Sequence, residues 1–253
     1  MKSNSPKLPL KEALRSKKML SAHAEREAQD TGYKTYSVYV YEAPVRAWHW
    51  INALAIFILM ATGYLIGKPL PTMDGEAYNQ FTMGYLRFTH FAAAYVFTIG
   101  VFVRIYWAFV GNSYARQIFV IPIFEKEWWH ELWYTIRWYL FLEPQGAKKY
   151  IGHNPVAQVM MFFFFVILSI GMLLTGWALY SEPEGAGSVS SLLFGWVLTL
   201  LGGSADVHAW HRLGMWLMLC FALAHIYAAV REDILSKQAL VSTMISGWRM
   251  FKS

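Results

Sequence analysis

The stretch HAWHRLGMWLMLCFALAH, from His208 to His225, decides the fold. Extended to residue 230, it is apolar and long enough to cross a hydrocarbon core of about 30 Å, which takes roughly 20 helical residues. His211 and His225 are fourteen positions apart, which is roughly 21 Å along a helix and about 40° short of four full turns. Their side chains are therefore predicted to leave nearly the same helix face at opposite membrane depths.

Three further stretches are also long and apolar. Because a lone strand would leave its backbone groups unsatisfied in lipid, we expect all of these segments to be helices. The sequence thus predicts an all-α integral membrane protein, with four transmembrane helices in a bundle. The four predicted spans cover about residues 48–66, 86–110, 155–180 and 208–230.

The composition agrees with a membrane protein. Hydrophobic residues make up 56% of the chain and charged residues only 15%, which is too apolar for an ordinary soluble domain. The net charge of +6 comes from residues without groove-like clustering, so we expect no nucleic-acid partner. Cys220 is the only cysteine, which excludes an internal disulfide, a cysteine-ligated iron–sulfur cluster and covalent haem attachment.

Lysine and arginine counts predict the orientation in the membrane. The segment before the first span carries nine, the loop at 111–154 five and the segment after residue 230 four, whereas the loop at 181–207 carries none. Positive charge marks the cytoplasmic side, so we expect both termini there. The polar first forty residues show no signal-peptide pattern. A multi-pass protein of the bacterial inner membrane is the expectation.

Two shorter segments and the N-terminus complete the predicted organisation. Residues 128–142 interleave Trp and Tyr with charges, which favours an amphipathic helix in the headgroup region. Residues 191–201 are apolar but too short to span, and are a candidate docking surface. We divide the chain into a polar tail, 1–35, and a four-helix domain, 36–253.

Histidines at matched depths predict a cofactor site. His49 begins the first span at the cytoplasmic edge, and His90 lies near the outer end of the second. Depth pairs His90 with His211 and His49 with His225, as axial ligands of two non-covalent b-type haems. Bis-histidine iron has no open position and passes electrons. His208 is a rival for His211, because it lies seventeen positions before His225, about 20° short of five turns.

Two other hypotheses for the role of these histidines stay open at this point. Histidines in lipid also bridge helices by hydrogen bonds, as they would in a haem-free membrane anchor or assembly subunit. A small proton or metal transporter is the other reading, although none of the four predicted spans contains Asp or Glu.

Charged and small residues beside the histidines are candidates for a supporting role. Arg46, Arg87 and Arg212 each lie within three positions of a proposed ligand. Arginine pairs well with anionic haem propionates, but interfacial snorkelling explains these arginines equally well. Gly63 and Gly214 could make room for a porphyrin, or serve ordinary helix contacts.

With these motifs in place, the chain resembles the b-type cytochrome subunit of membrane-bound nickel–iron hydrogenases. The resemblance covers about residues 36–250 and extends to the cytochromes of formate dehydrogenase. In those proteins the fourth helix gives the second and third histidines of its motif to two haems, which implies His211 and His225 and sets His208 aside. Besides the 208–225 stretch, the similar pieces are EAPVRAWHW (42–50), TGYLIGKPLP (62–71), RIYWAFVGN (104–112), IRWYLFL (136–142), IGHNP (151–155) and REDI (231–234).

The resemblance implies an electron-transfer subunit that is not an enzyme by itself. A periplasmic iron–sulfur small subunit and nickel–iron large subunit would oxidise hydrogen within a larger oligomeric complex. Electrons would reach the outer haem, then the inner haem, then a quinone in the bilayer. We place the quinone site near the inner histidine pair, with His153 and His130 as candidate proton donors.

Overall fold

The computed structural model describes residues 35–69, 71, 80–143, 148–236 and 239–252. The predicted N-terminal tail, 1–35, lies outside the described residues except for Thr35. In chain order, the elements are β1 (Thr35–Tyr39), α1 (Ala43–Gly67), α2 (Thr82–Val110), α3 (Lys126–Tyr139), α4 (Pro155–Ser181), α5 (Val189–Leu200), α6 (Ser204–Ser236), α7 (Leu240–Ser246) and β2 (Trp248–Lys252).

The four predicted spans are confirmed as helices that are long and apolar enough to cross a membrane. These are α1, α2, α4 and α6, with 25, 29, 27 and 33 residues. Each is longer than predicted, because the helices continue through polar end residues that the hydropathy pattern leaves out. Large apolar side chains such as Phe88 and Phe109 are exposed on their outer surfaces, as lipid-facing residues are expected to be.

Helix α4 is irregular in its first half. Asn154 caps its N-terminus by accepting a hydrogen bond from the Ala157 amide at 2.8 Å, and Pro155 occupies the first turn, where its missing N–H costs nothing. Residues Met161–Ile167 then form a π-helical segment. Such segments often occur at functional sites. Here the segment carries the buried Phe165, whose ring lies 5.4 Å from that of Trp48.

Small clusters of buried side chains join the spans. Ala55 of α1 packs with Phe97 and Val101 of α2. At the other side of the bundle, Ala178 and Val207 pack with Val197 of α5. The short helix α5 therefore lies against α4 and α6 and does not add a crossing.

The all-α prediction is wrong in one element, a two-stranded antiparallel ribbon of β1 and β2 that pairs Thr35 with Lys252. In β2, Arg249 and Phe251 are buried whereas Trp248 and Met250 are exposed, so successive side chains lie on opposite faces of the ribbon. Phe251 is fully buried and stacks on Tyr36 with ring centroids 4.9 Å apart. The ribbon was missed because its strands are distant in sequence and lie in polar segments. It brings the two ends of the described chain together.

Helix α3 corresponds to the predicted amphipathic segment. Trp128 and Thr135, two turns apart on one face, are buried, whereas Trp129 and Trp133 are exposed. The Trp128 indole donates a hydrogen bond to Gln158 of α4 at 2.8 Å, which fixes α3 against the start of that helix. Its position in the headgroup layer stays a prediction.

Candidate functional site

The bundle brings the four predicted histidines together as two pairs. The rings of His90 (α2) and His211 (α6) have centroids 6.5 Å apart with an interplanar angle of 74°. The rings of His49 (α1) and His225 (α6) have centroids 6.3 Å apart at 54°. We call these the outer pair and the inner pair.

Both separations fit a single metal ion between the two rings. A metal–imidazole bond is about 2 Å long and the ring centroid lies roughly 1 Å behind the nitrogen, so two rings on opposite sides of one ion have centroids about 6 Å apart. Direct hydrogen bonds between the paired rings are not among the contacts of the described residues. The donor set of neutral imidazoles suits haem iron.

The buried face of α6 explains why one helix serves both pairs. Val207, Gly214, Met218 and Phe221 are buried and recur at helical spacing, and the two histidines of α6 lie along the same face. A Cβ on Gly214 would collide with Met172 of α4, so this glycine permits close packing of two helices and does not simply make room for a porphyrin.

Two threonines contact the outer pair, and the sequence reasoning missed both. The hydroxyl of Thr62 lies 2.9 Å from Nδ1 of His90, and the hydroxyl of Thr175 lies 2.8 Å from Nδ1 of His211. Each threonine precedes a glycine. The signal available in the sequence was this repeated Thr-Gly dipeptide, at 62–63 in the first span and at 175–176 in the third.

Buried polar groups without partners surround the inner pair. His49 Nδ1, Trp48 Nε1 and Asn52 Oδ1 have no hydrogen-bond partner among the described residues, although they are inaccessible to solvent. His225 stacks on Phe221 with centroids 5.8 Å apart and planes at 22°. Unpaired buried polar groups are costly, so their concentration here indicates a polar ligand at this end.

Arg104 is a third residue that the sequence reasoning missed. It lies in α2 and is only 4% exposed. Its guanidinium lies 5.3 Å from the ring centroid of Trp48 and 5.1 Å from that of Phe119, and NH2 donates to the Ala115 carbonyl at 2.5 Å. Its Nε and NH1 have no partner among the described residues. A buried cation with free donors is suited to an anionic group.

The spacing of Arg104 was the signal that could have revealed it. It follows His90 by fourteen positions, the same interval that separates the two ligand candidates on α6. This interval places it on the buried face of α2, at the depth of the inner pair.

The three predicted arginines have more ordinary surroundings. Arg46 is half-buried and donates to the Ile245 carbonyl, and Arg212 donates to the Gly67 carbonyl at 2.8 Å. The second contact caps the C-terminal end of α1, where a cation is favourable. Arg87 is exposed.

His208 does not reach the outer pair. It is exposed, and its Nδ1 donates to the Ser204 carbonyl of its own helix at 2.9 Å. Of the two candidates that helical spacing left open, His211 is the one whose ring faces that of His90.

The two histidines proposed for the quinone site have different environments. His130 is exposed, with Nδ1 4.0 Å from Glu131. The half-buried His153 lies 3.5 Å from the hydroxyl of Tyr41. Burial chiefly, with the nearby His225 and Arg104, lowers the pKa of His153 to about 3, and burial raises the pKa of Tyr41 to about 12. Both groups are therefore neutral at physiological pH, so His153 can offer a hydrogen bond but holds no excess proton.

Four spanning helices that carry two facing histidine pairs define a membrane cytochrome of b type. The sequence model for the prokaryotic cytochrome b561 family matches residues 40–247. The chain belongs to this family.

Curated relatives agree over most of the chain. A protein of Azotobacter chroococcum mcd 1 named as a probable Ni/Fe-hydrogenase B-type cytochrome subunit is 58% identical over 226 residues, 89% of this chain and 94% of the relative. A Rhodobacter capsulatus protein of the same name is 56% identical, covering 92% and 89%. The probable Ni/Fe-hydrogenase 1 B-type cytochrome subunit of Escherichia coli K12 is 50% identical, covering 85% and 92%. The resemblance predicted from the motifs is confirmed, since these relatives are named as B-type cytochrome subunits of Ni/Fe hydrogenase.

Proposed function

We propose that this chain is the dihaem b-type cytochrome subunit of a nickel–iron hydrogenase in the bacterial inner membrane, and that it passes electrons from hydrogen oxidation to the quinone pool. The observation that carries the proposal is the pair of facing imidazoles at each end of the bundle, at separations of 6.5 and 6.3 Å. The names of the relatives support the hydrogenase partner.

The residues that would hold the haems are His90 with His211 and His49 with His225. Haem iron bound between such pairs supplies a one-electron couple with no open coordination position. The separation of fourteen positions from His211 to His225 corresponds to roughly 21 Å along the helix. The two pairs would thus connect opposite sides of the membrane.

Arginines near the pairs would bind the propionates. At the inner end, burial and free donors favour Arg104, with the half-buried Arg46 as a second partner. At the outer end, we propose Arg87 and Arg212, the second of which also caps α1. His208, exposed beside Arg212, is a secondary candidate there.

The similarity to hydrogenase cytochrome subunits, combined with the predicted orientation, implies the direction of electron flow. With both termini cytoplasmic, the outer pair faces the periplasm, where the iron–sulfur small subunit and nickel–iron large subunit would dock as parts of a larger complex. The inner pair would serve a quinone on the cytoplasmic side. There, neutral His153 would donate a hydrogen bond to a quinone oxygen, while exposed His130 would exchange protons with solvent.

The test uses the intact hydrogenase complex purified in detergent. In the wild type, hydrogen should reduce both b-type haems and then a soluble quinone. His225→Ala should leave the outer haem reducible by hydrogen but stop quinone reduction. His211→Ala should abolish hydrogen-driven reduction of the remaining haem. Leu223→Ala is the matched control on the same helix, because Leu223 is exposed and belongs to neither histidine pair, and it should leave both steps intact.

Several outcomes would contradict the proposal. Quinone reduction at the wild-type rate in His211→Ala would rule out electron entry at the outer pair. A folded complex without haem would favour the hypothesis of a membrane anchor or assembly subunit. A haem-free chain that moves protons or metal ions in vesicles would favour the hypothesis of a transporter.

A further inference from the structure

The outer histidines are each held by a Thr-Gly dipeptide from a different helix. Thr62 and Gly63 of α1 contact His90 of α2, and Thr175 and Gly176 of α4 contact His211 of α6. Neither dipeptide belongs to the helix of the histidine that it contacts. The two contacts are equivalent, and together they involve all four spanning helices.

Hydrogen bonding fixes which nitrogen of each outer ring carries the proton. The Thr62 hydroxyl donates its only hydrogen to the Ile58 carbonyl at 2.6 Å, so its oxygen must accept from Nδ1–H of His90. Thr175 likewise donates to the Gly171 carbonyl at 2.7 Å and accepts from His211. Because a carbonyl can only accept, each hydroxyl proton is assigned to the carbonyl, and we infer that Nδ1–H donates to the threonine oxygen. In both rings Nε2 keeps its lone pair free for a metal.

The two glycines lie close to the Cε1 atoms of the outer histidine rings. A Cβ added to Gly63 would lie 3.2 Å from Cε1 of His90, and one added to Gly176 would lie 3.2 Å from Cε1 of His211. Each imidazole therefore lies between a hydroxyl that contacts Nδ1 and a glycine at which an added Cβ would crowd Cε1. This leaves little freedom to rotate the ring plane.

The inner pair has no such arrangement. Nδ1 of His49 is buried without a partner among the described residues, and His225 is positioned by stacking on Phe221. The two ends of the bundle therefore differ in the hydrogen bonding of their histidine rings, although both contain a histidine pair.

We propose that Thr62 and Thr175 are positioning residues that set the tautomer, the crossed ring planes and hence the electronic state of the outer haem. The inference rests on the proposed function, since it needs a haem between His90 and His211. A hydrogen bond accepted from Nδ1–H makes an imidazole a stronger donor to the metal, which stabilises the ferric state and lowers the midpoint potential. Ring planes crossed at 74° give low-spin ferric haem a strongly anisotropic EPR signal.

The test replaces each threonine by the isosteric valine in the purified complex. Thr62→Val and Thr175→Val should each raise the midpoint potential of the outer haem and reduce the anisotropy of its EPR signal, with a larger effect in the double variant. The inner haem should keep both properties. Thr62→Ser and Thr175→Ser retain the hydroxyl and should restore wild-type values.

Thr98→Val is the matched control. Thr98 also lies in a spanning helix and donates to the carbonyl four residues earlier, Ala94, at 2.7 Å, but its other partner is Trp177. It should therefore leave the outer haem unchanged. Haem content is measured in every variant, so that loss of cofactor is distinguished from a change in its electronic state.

The outcomes separate this inference from the proposed function. Two haems per chain with unchanged signals and potentials in the valine variants would overturn the positioning role alone. Serine variants that behave like the valine variants would overturn it as well. Loss of the outer haem in the valine variants only, with retention in the serine variants, would support it. A wild-type complex without haem would overturn the proposed function, and this inference with it.

Discussion

The outer and inner ends of the bundle each contain a facing pair of imidazoles, but the hydrogen bonding around the two pairs differs. At the outer end, both Nδ1 atoms are hydrogen-bonded by threonines. At the inner end, Nδ1 of His49 and two donors of Arg104 are buried without partners among the described residues. The histidines of the outer pair thus have hydrogen-bond partners within the protein, whereas buried polar groups at the inner end lack such partners among the described residues.

This difference indicates how each end would control its haem. At the outer end, hydrogen bonds from the two histidines to threonines would determine the midpoint potential and the EPR signal of the haem. The inner haem would instead depend on charge, because its surroundings contain a desolvated guanidinium whose interactions in a low-dielectric interior are strong. A substitution at one end should therefore affect the haem at that end and leave the other haem unaffected.

The largest effect is expected from Arg104→Gln. If Arg104 binds a propionate, the change removes charge-assisted hydrogen bonds worth about 1.5–3 kcal/mol, so affinity for the inner haem should fall roughly 10- to 100-fold. Any inner haem that remains should have a lower midpoint potential, because a nearby cation is gone. Haem content and redox titration measure both effects.

Arg87→Gln is the comparison for this variant: Arg87 is exposed and is proposed for the outer haem, so its replacement should leave the content and the midpoint potential of the inner haem unchanged. Arg104 also donates to the Ala115 carbonyl, so folding is checked by size-exclusion chromatography. A monodisperse Arg104→Gln protein with two haems and unchanged potentials would remove the assigned role of Arg104.

A smaller effect is expected from Gly63→Ala. The new methyl group would crowd His90, at 3.2 Å from Cε1, and overpacking of this kind costs about 1–3 kcal/mol. Both haems should stay bound, but the EPR signal of the outer haem should change and the thermal unfolding temperature should fall. Gly84→Ala, at an exposed helical glycine with open space around it, should instead be stabilising by about 0.5–1 kcal/mol. Equal behaviour of the two variants would contradict confinement of His90 by Gly63.

The smallest effect is expected from Glu131→Gln, because Glu131 lies in α3, which carries neither histidine pair. Burial alone would raise the pKa of Glu131, but hydrogen bonds from Lys148 at 2.6 Å and Tyr150 at 2.7 Å outweigh it and hold the pKa below its ordinary value of 4.5. A carboxyl with a lowered pKa stabilises the fold above its ordinary pKa and loses this effect as the pH falls through its folded value.

At pH 7, Glu131→Gln should therefore lower stability by about 0.2–1 kcal/mol, as for other exposed ion pairs. The difference from wild type should shrink as the pH falls below 4.5 and disappear once the carboxyl is protonated in the folded protein, and both haems should be unaffected. Thermal unfolding across this pH range measures it, with Glu127→Gln on the same helix as control. A difference that persists undiminished well below pH 4.5 would show that the carboxylate charge is not responsible.

Much of the architecture could be predicted from the sequence, because lipid imposes a simple rule on each span. Apolar length gave α1, α2, α4 and α6, and helical spacing placed His211 and His225 on one face. The β ribbon could not be foreseen, since it joins residues more than two hundred positions apart and its strands lie in polar segments. Non-local pairing of this kind leaves little local signal.

The candidate site shows a similar division. Histidines stand out in an apolar span, so the two pairs were found. Thr62, Thr175 and Arg104 were missed because threonine is unremarkable in membrane helices and an arginine near a span end is usually a topology signal. Their roles depend on contacts between helices, which a single sequence does not contain.

The most direct test of the account is the number of haems per chain, measured by pyridine haemochrome assay against protein concentration. We expect two in the wild type and one in each of His90→Ala and His49→Ala, with the remaining haem at the opposite end. Fewer than two in the folded wild type, or two in either variant, would contradict the claim that each histidine pair holds its own haem.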